Sequence, residues 1–457
     1  MAKRLISIAL CLAMVLSFGV LTSCGDDSSK SSGGDESEFM PENLDVTVWG
    51  AFGEDYWEAW QRDYPQINID YSTSSDSSLA TLAAAIAANN QPDMFYTNNA
   101  TKAPLGEAVA KGLVQPLDEY FERDPGYQKS DLPSWYADFV TFPDAEGNNH
   151  IYGVYTDVSV ACLVWNKELF EKEGLDPEQP PTTWSQMQTM AKQLTKTDAS
   201  GVVTQAGFLD YHHWYQHWRL TYGDSYQDRF TGEVNVTNDN GKFASVLNFL
   251  LSFPASFGGG DKVAEDTSWE NGNVAMGISD IGYAQKMGNG FKIGIAPMPY
   301  NDDPQYGLTE GAIPGYAWQW YGIPTGAKNP DGGWLFCRWA VTEGSAGVQE
   351  RSILANPDTW SGVVWLVHAP TRQRLYDAYL SDAREDIQEN LKTRDEIFSK
   401  ISIDRPVNAP INADFETVIE GRSNDVLDGI TTVTDALQEI QETGEYLYNR
   451  YQQDVAN

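Results

Sequence analysis

The sequence predicts an α/β protein whose sheets are mainly parallel. Two observations carry this. Between Asp45 and Tyr96 short β-prone runs alternate with helix-like stretches over short links, the pattern of βαβ units. A second such block begins near His150, and 457 residues suffice for two or three domains.

Asp45 to Trp49 (DVTVW) is the first strand, and Gly53 opens a helical stretch to Tyr64. Ile67 to Tyr71 alternates as a half-buried strand, Ser78 to Ala88 is an Ala-rich helix, and Asp93 to Tyr96 is a third strand. In the second block Ile151–Tyr155 and Val158–Trp165 read as strands and Lys167–Glu173 as a helix. Thr183-Trp184-Ser185-Gln186 fits a capping box. Met187, Met190, Ala191 and Leu194 follow at helical spacing, a buried stripe. Further helices are expected at 240–253, 331–341, 371–380, 412–427 and 432–451, and strands at 274–279, 292–296 and 318–323. There is no internal repeat.

The N-terminus reads as an address. Lys3 and Arg4 precede a short apolar run, Leu5 to Val20, broken by Ser7 and Ser17 and too short for a good membrane span. It ends in Leu21-Thr22-Ser23-Cys24, which resembles the lipobox of bacterial lipoproteins. That resemblance implies cleavage before Cys24 and a diacylglyceryl anchor on it, two chains being enough to hold a protein on a membrane. The plainer alternative is an ordinary signal peptide. Residues 24–43 are small, polar and acidic, a flexible tether.

Net charge is −35, and −37 once Lys3 and Arg4 leave with the leader, which argues against a nucleic-acid partner or an anionic membrane surface. With Cys11 in the leader and Cys24 lipidated, only Cys162 and Cys337 remain; both sit in apolar runs and read as small buried hydrophobes, a disulfide between them being the alternative that an oxidising compartment allows. No Walker A loop, G-x-S-x-G elbow, H-E-x-x-H or complete EF-hand loop occurs, so neither an enzyme class nor a cofactor is indicated.

Several segments then fall into a recognisable order. His150-Ile151-Tyr152-Gly153-Val154-Tyr155 precedes Leu163-Val164-Trp165-Asn166-Lys167-Glu168-Leu169-Phe170; next come Gly174-Leu175 and Pro180-Pro181-Thr182-Thr183-Trp184. Farther on stand Trp269-Glu270-Asn271-Gly272-Asn273-Val274-Ala275-Met276 and Gly294-Ile295-Ala296-Pro297-Met298-Pro299. This order resembles family 1 extracellular solute-binding proteins, the maltose- and oligosaccharide-binding receptors of ABC importers. The resemblance spans about residues 44–451, with Trp269 where the family often has Phe. It implies a periplasmic-binding-protein fold, two α/β lobes closing like a clamp. One lobe would hold 44–156 and 316–356, the other 157–315 and 357–457, with hinges near 154–160 and 299–316. It also implies a monomer outside the cytoplasm, joined to the membrane only by its lipid, that binds a sugar or oligosaccharide, hands it to a permease and catalyses nothing.

Sugars offer C–H faces to aromatic rings and a rim of hydroxyls to carboxylates and amides. Ligands in open α/β sheets sit beyond the carboxyl ends of strands. Candidate contacts are therefore Trp49 and Phe52 after the first strand; Tyr96, Asn98 and Asn99 after the third; and Tyr155 and Asp157 at the first crossing. Core packing is the plainer reading of Trp49 and Phe52, and turn chemistry of Asn98 and Asn99. Asp210 to Trp218 (DYHHWYQHW) is the most unusual segment. If it is helical, Trp214 and Trp218 share a face as an aromatic wall with Asp210 at its mouth, and His213 and His217 share another. The histidine pair lacks the third and fourth ligands zinc needs, for which Asp210 and His212 are the nearby candidates, and no metal is expected. Asp280 and Tyr283 follow a strand at a place where the maltose-binding branch usually has Trp and this chain has Gly282. Tyr316, Trp318 and Trp320 alternate as one aromatic platform. Rival readings are a polyamine, amino acid, peptide or metal in the same fold, or a secreted glycoside hydrolase, whose carboxylate pair cannot be singled out among 65 acidic residues.

Overall fold

The computed structural model describes residues 39–457, except 51, 73–77, 98–103, 145, 210–213, 254–262, 283, 285–289, 318, 361–362, 405–408, 410 and 457. Cys24 and the tether up to residue 38 lie outside the described residues. The protein folds into two α/β lobes, each built on its own sheet.

The strands, in chain order, are β1 Asp45–Trp49, β2 Asn68–Ser72, β3 Met94–Tyr96, β4 Thr141–Pro143, β5 Asn149–Ile151, β6 Ser159–Asn166, β7 Lys196–Thr197, β8 Val203–Gln205, β9 Met276–Asp280, β10 Ile293–Pro297, β11 Pro314–Tyr316, β12 Tyr321–Gly322 and β13 Ile403–Asp404. The first sheet runs β12-β3-β1-β2, with β1 parallel to both β2 and β3 and β12 antiparallel at the edge. Its βαβ units are those expected, with helices Glu54–Asp63 and Leu79–Ala87 between the strands. The second of these starts where Ser78 accepts the Thr81 N–H, and it buries Leu79, Leu82 and Ala85 on one stripe. Helix Pro330–Trp339 lies so close to the sheet that a Cβ on Gly333 would stand 2.1 Å from the Asp93 carbonyl oxygen. Only glycine permits that approach. Arg338 of this helix is buried against Asp124 (3.1 Å) and the Tyr64 hydroxyl (2.8 Å), and the Trp334 indole donates to the same carboxylate at 2.7 Å.

The second sheet departs from expectation. β6 is its centre, flanked by β9 on one side and by β10 and β11 on the other, and all three pairings are antiparallel; only β11 with β13 is parallel. The near-continuous apolar run of β6 reads like a parallel-sheet strand. Burial of both its faces produces the same run whichever way its neighbours point, since seven of its eight residues are buried. Gly294 of β10 lets the Trp165 ring lie across the strand, where a Cβ would come within 2.1 Å of it.

Helix Trp184–Leu194 has the expected Thr183 cap, whose hydroxyl accepts the Gln186 N–H (3.3 Å). The Gln186 side chain, however, accepts from Thr182 N–H (2.9 Å) rather than closing the box on Thr183. Cys162 and Cys337 are free thiols buried in β6 and in helix Pro330–Trp339. No helix among the described residues is long and apolar enough to cross a membrane.

The chain passes between the sheets twice. Val154 still bridges Tyr321 of the first sheet, and β6 begins five residues later in the second. On the return, β11 belongs to the second sheet and β12 to the first, so the crossing falls between Tyr316 and Tyr321, just beyond the expected 299–316.

Candidate functional site

These crossings border a cavity of about 410 Å³. Tyr96 at the end of β3, Asp280 at the end of β9 and Tyr316 at the end of β11 reach it, as do Asp157 and Ser159 where β6 begins. Gln319 and Tyr321 enter from the second crossing, and Trp365 closes the far side. Helix Ser345–Ala355 contributes Ser345, Val348 and Gln349. A π-helical segment, Ala340–Gly344, sets the register of that helix, a device common beside functional sites.

One wall is a ladder of rings. Phe52 stacks between Tyr56 (centroids 4.8 Å apart) and Tyr96 (4.9 Å), and Tyr96 lies 4.6 Å from Tyr321. The ladder spends ring faces on itself and offers edges and hydroxyls to the cavity. The Tyr96 hydroxyl donates to Gln319 Oε1 at 2.8 Å, which orients that amide. Burial raises the phenol pKa values of Tyr56, Tyr96 and Tyr321, so all three stay protonated donors.

The floor holds two carboxyls. Asp280 is fixed: Oδ1 accepts Gly282 N–H at 2.8 Å, and Oδ2 accepts the Tyr316 hydroxyl at 2.5 Å and the Ser159 hydroxyl. Asp157 is half-buried, and burial together with the charge of Asp280 pushes its pKa up to about 7. No Lys, Arg or His lines this cavity among the described residues. Arg351 belongs to an adjoining hollow that shares Phe52, Tyr56 and Val348 with it.

Of the expected contacts, the structure brings Phe52, Tyr96, Asp157, Asp280 and Tyr316 to this cavity. Trp49 is half-buried against the core of the first lobe, and Trp214 is half-buried beside His217 (4.7 Å between rings) and Tyr316 (6.4 Å); neither lines the cavity. Three expectations are corrected. Tyr155, Trp218 and Trp320 are each 0% exposed. Tyr155 packs on Tyr136, Trp218 lies edge-on to Phe249 (5.2 Å), and Trp320 packs against Phe95 (5.6 Å). Trp320 does not join Tyr316 in one platform, because Tyr316 ends β11 of one sheet and β12 of the other begins at Tyr321. Asn98, Asn99, Asp210, His213, Tyr283 and Trp318 lie outside the described residues. Helix Tyr215–Leu220 begins just after Trp214, and no group of three or more potential metal ligands occurs among the described residues.

Tyr56, Gln319, Tyr321, Gln349 and Trp365 were not anticipated. Only the positions of Gln319 and Tyr321 at the second crossing could have pointed to any of them.

The sequence profile of the bacterial extracellular solute-binding proteins matches residues 45–347. The chain belongs to this family. Among curated relatives, the sn-glycerol-3-phosphate-binding periplasmic protein UgpB of Salmonella paratyphi A is 27% identical over 278 residues, 56% of this chain and 59% of that relative's length. The chain thus spans about three-fifths of the relative it matches. CpMnBP1 with mannotriose bound superposes with a TM-score of 0.61 at 22% identity, covering 88% of this chain and 100% of that one. UgpB of Mycobacterium tuberculosis in complex with glycerophosphocholine gives 0.61 at 15% identity, covering 89% and 98%. Both likenesses establish the two-lobe fold, and both neighbours, like the family, are named for binding rather than for a reaction.

Proposed function

We propose that this chain is the substrate-binding protein of an ABC importer and that it captures a sugar, in oligosaccharide form, in the cavity between its sheets. The observation that carries the proposal is the lining: carboxyl, amide, hydroxyl and aromatic side chains, with no basic residue among the described residues. Such a set accepts and donates hydrogen bonds around a ring of hydroxyls. It offers nothing to neutralise a phosphate, so the glycerol 3-phosphate named for the curated relatives is a poor match, and the mannotriose of CpMnBP1 a better one. A cavity of about 410 Å³ is at the small end of ligand sites, so a short oligosaccharide fits best.

Phe52, Tyr96, Asp157, Asp280 and Tyr316 are the proposed contacts, joined by Tyr56, Gln319, Tyr321 and Trp365. The lobes are proposed to comprise 44–156 with 316–356 and 157–315 with 357–457, and to close over the solute, which shifts the equilibrium by its greater affinity for the closed form. The permease then recognises that form. Cys24 is proposed as the lipid anchor of a monomer outside the cytoplasm and 24–38 as its tether; the tether expected over 24–43 is shortened because Phe39 is buried in the core and Asn329 donates to the Asn43 carbonyl.

Calorimetric titration tests the ligand class. Saturable heat with mannotriose or another short oligosaccharide, and none with glycerol 3-phosphate, is expected. Binding of glycerol 3-phosphate alone refutes the sugar reading.

A further inference from the structure

The two carboxyls of the cavity differ in what holds them. Asp280 accepts from a backbone N–H and two hydroxyls, so its charge is already balanced by donors. The Asp157 carboxyl accepts no hydrogen bond from any described residue. The titratable groups around it are acids: Asp280 from β9, Tyr96 from β3 and Tyr321 from β12. Tyr316 completes the ring, with His217 behind it at 5.0 Å, and Arg351 stays in the neighbouring hollow.

We propose that the solute is an amino-substituted sugar whose ammonium group sits against Asp157. The proposal rests on the sugar reading above and narrows it. Above about pH 7 a neutral sugar that fills the cavity expels water from around the Asp157 carboxylate and returns at most hydroxyl donors, leaving a buried charge without a counter-ion. An ammonium returns a charge and three N–H donors to a carboxyl that has none. The phenol hydroxyls around it accept further bonds from the same group. The proton that burial and Asp280 hold on Asp157 up to about pH 7 would leave when the cation arrives. Affinity for the amine therefore rises with pH and levels off above about 7; below that it falls about tenfold per unit.

The test is calorimetric titration of mannobiose, maltose and cellobiose, each beside its 6-amino-6-deoxy counterpart, with spermidine as an amine that is not a sugar. At about pH 7.5 one amino sugar should bind at least about tenfold more tightly than its hydroxyl counterpart. It should weaken about tenfold per unit below pH 7, a slope the neutral sugar lacks. Asp157→Asn should erase both the preference and the slope. The pH profile of the unmodified protein decides the matter even if that variant does not fold. Neutral sugars binding as well as or better than amino sugars overturn this inference and leave the sugar reading intact. Spermidine binding without any sugar, or no binding at all, overturns both.

Discussion

Replacing Asp157 with Asn removes a carboxyl whose pKa burial and the neighbouring Asp280 raise from 3.8 to about 7. In the unfolded chain that group titrates near its ordinary value, so between about pH 4 and pH 7 the folded protein holds a proton that the unfolded one has lost. Its contribution to stability is therefore complete below about pH 4 and disappears as pH rises through 7. A shift of about three units corresponds to about 4 kcal/mol. Water in the open cavity screens the half-buried group, and about 2 kcal/mol is the fair expectation. Thermal unfolding of the ligand-free protein reads this directly. Between about pH 5 and pH 8 the midpoint of the unmodified protein should fall by on the order of 1–2 °C more than that of Asp157→Asn. Midpoints that move in parallel would show that Asp157 titrates normally, and the account of the cavity floor would be wrong.

Three further outcomes follow from the packing. Gly333→Ala forces a methyl against the Asp93 carbonyl and should cost on the order of 3 kcal/mol, read as a lowered denaturation midpoint. Arg338→Ala leaves Asp124 buried without its cation and should cost about 3–5 kcal/mol; a loss below about 1 kcal/mol in urea unfolding would contradict the buried pair. Thiol titration of residues 40–457, denatured without reductant, should find both Cys162 and Cys337 reactive, and finding neither would mean they are bridged.

Much of the fold was legible because its signals are local. The β-prone run of β1, the Ala-rich helix after Ser78 and the stripe after Thr183 each follow from residues a few positions apart. The direction of the strands beside β6 was not legible, because it depends on how long connections return the chain. Helix Ser345–Ala355 and the π-segment before it were missed, having only a weak apolar stripe to announce them. For the site, residues at strand ends were readable: Tyr96, Asp157, Asp280 and Tyr316 stand where a strand stops or starts. Aromatic type was not a guide by itself. Trp218 and Trp320 fill cores with the same chemistry that lets Trp365 face the cavity, and only the three-dimensional packing separates them.

The central claim, capture of a sugar between the lobes, is tested most directly by thermal unfolding of residues 40–457 against mono- and oligosaccharides, amino sugars, polyamines, amino acids and glycerol 3-phosphate. A ligand at about 100 times its Kd adds roughly 2.7 kcal/mol and raises the midpoint by a few degrees. The account predicts a rise with one class of sugar, lost in a Tyr96→Ala, Asp280→Ala double variant that still folds. A rise with glycerol 3-phosphate or an amino acid, and with no sugar, would contradict it.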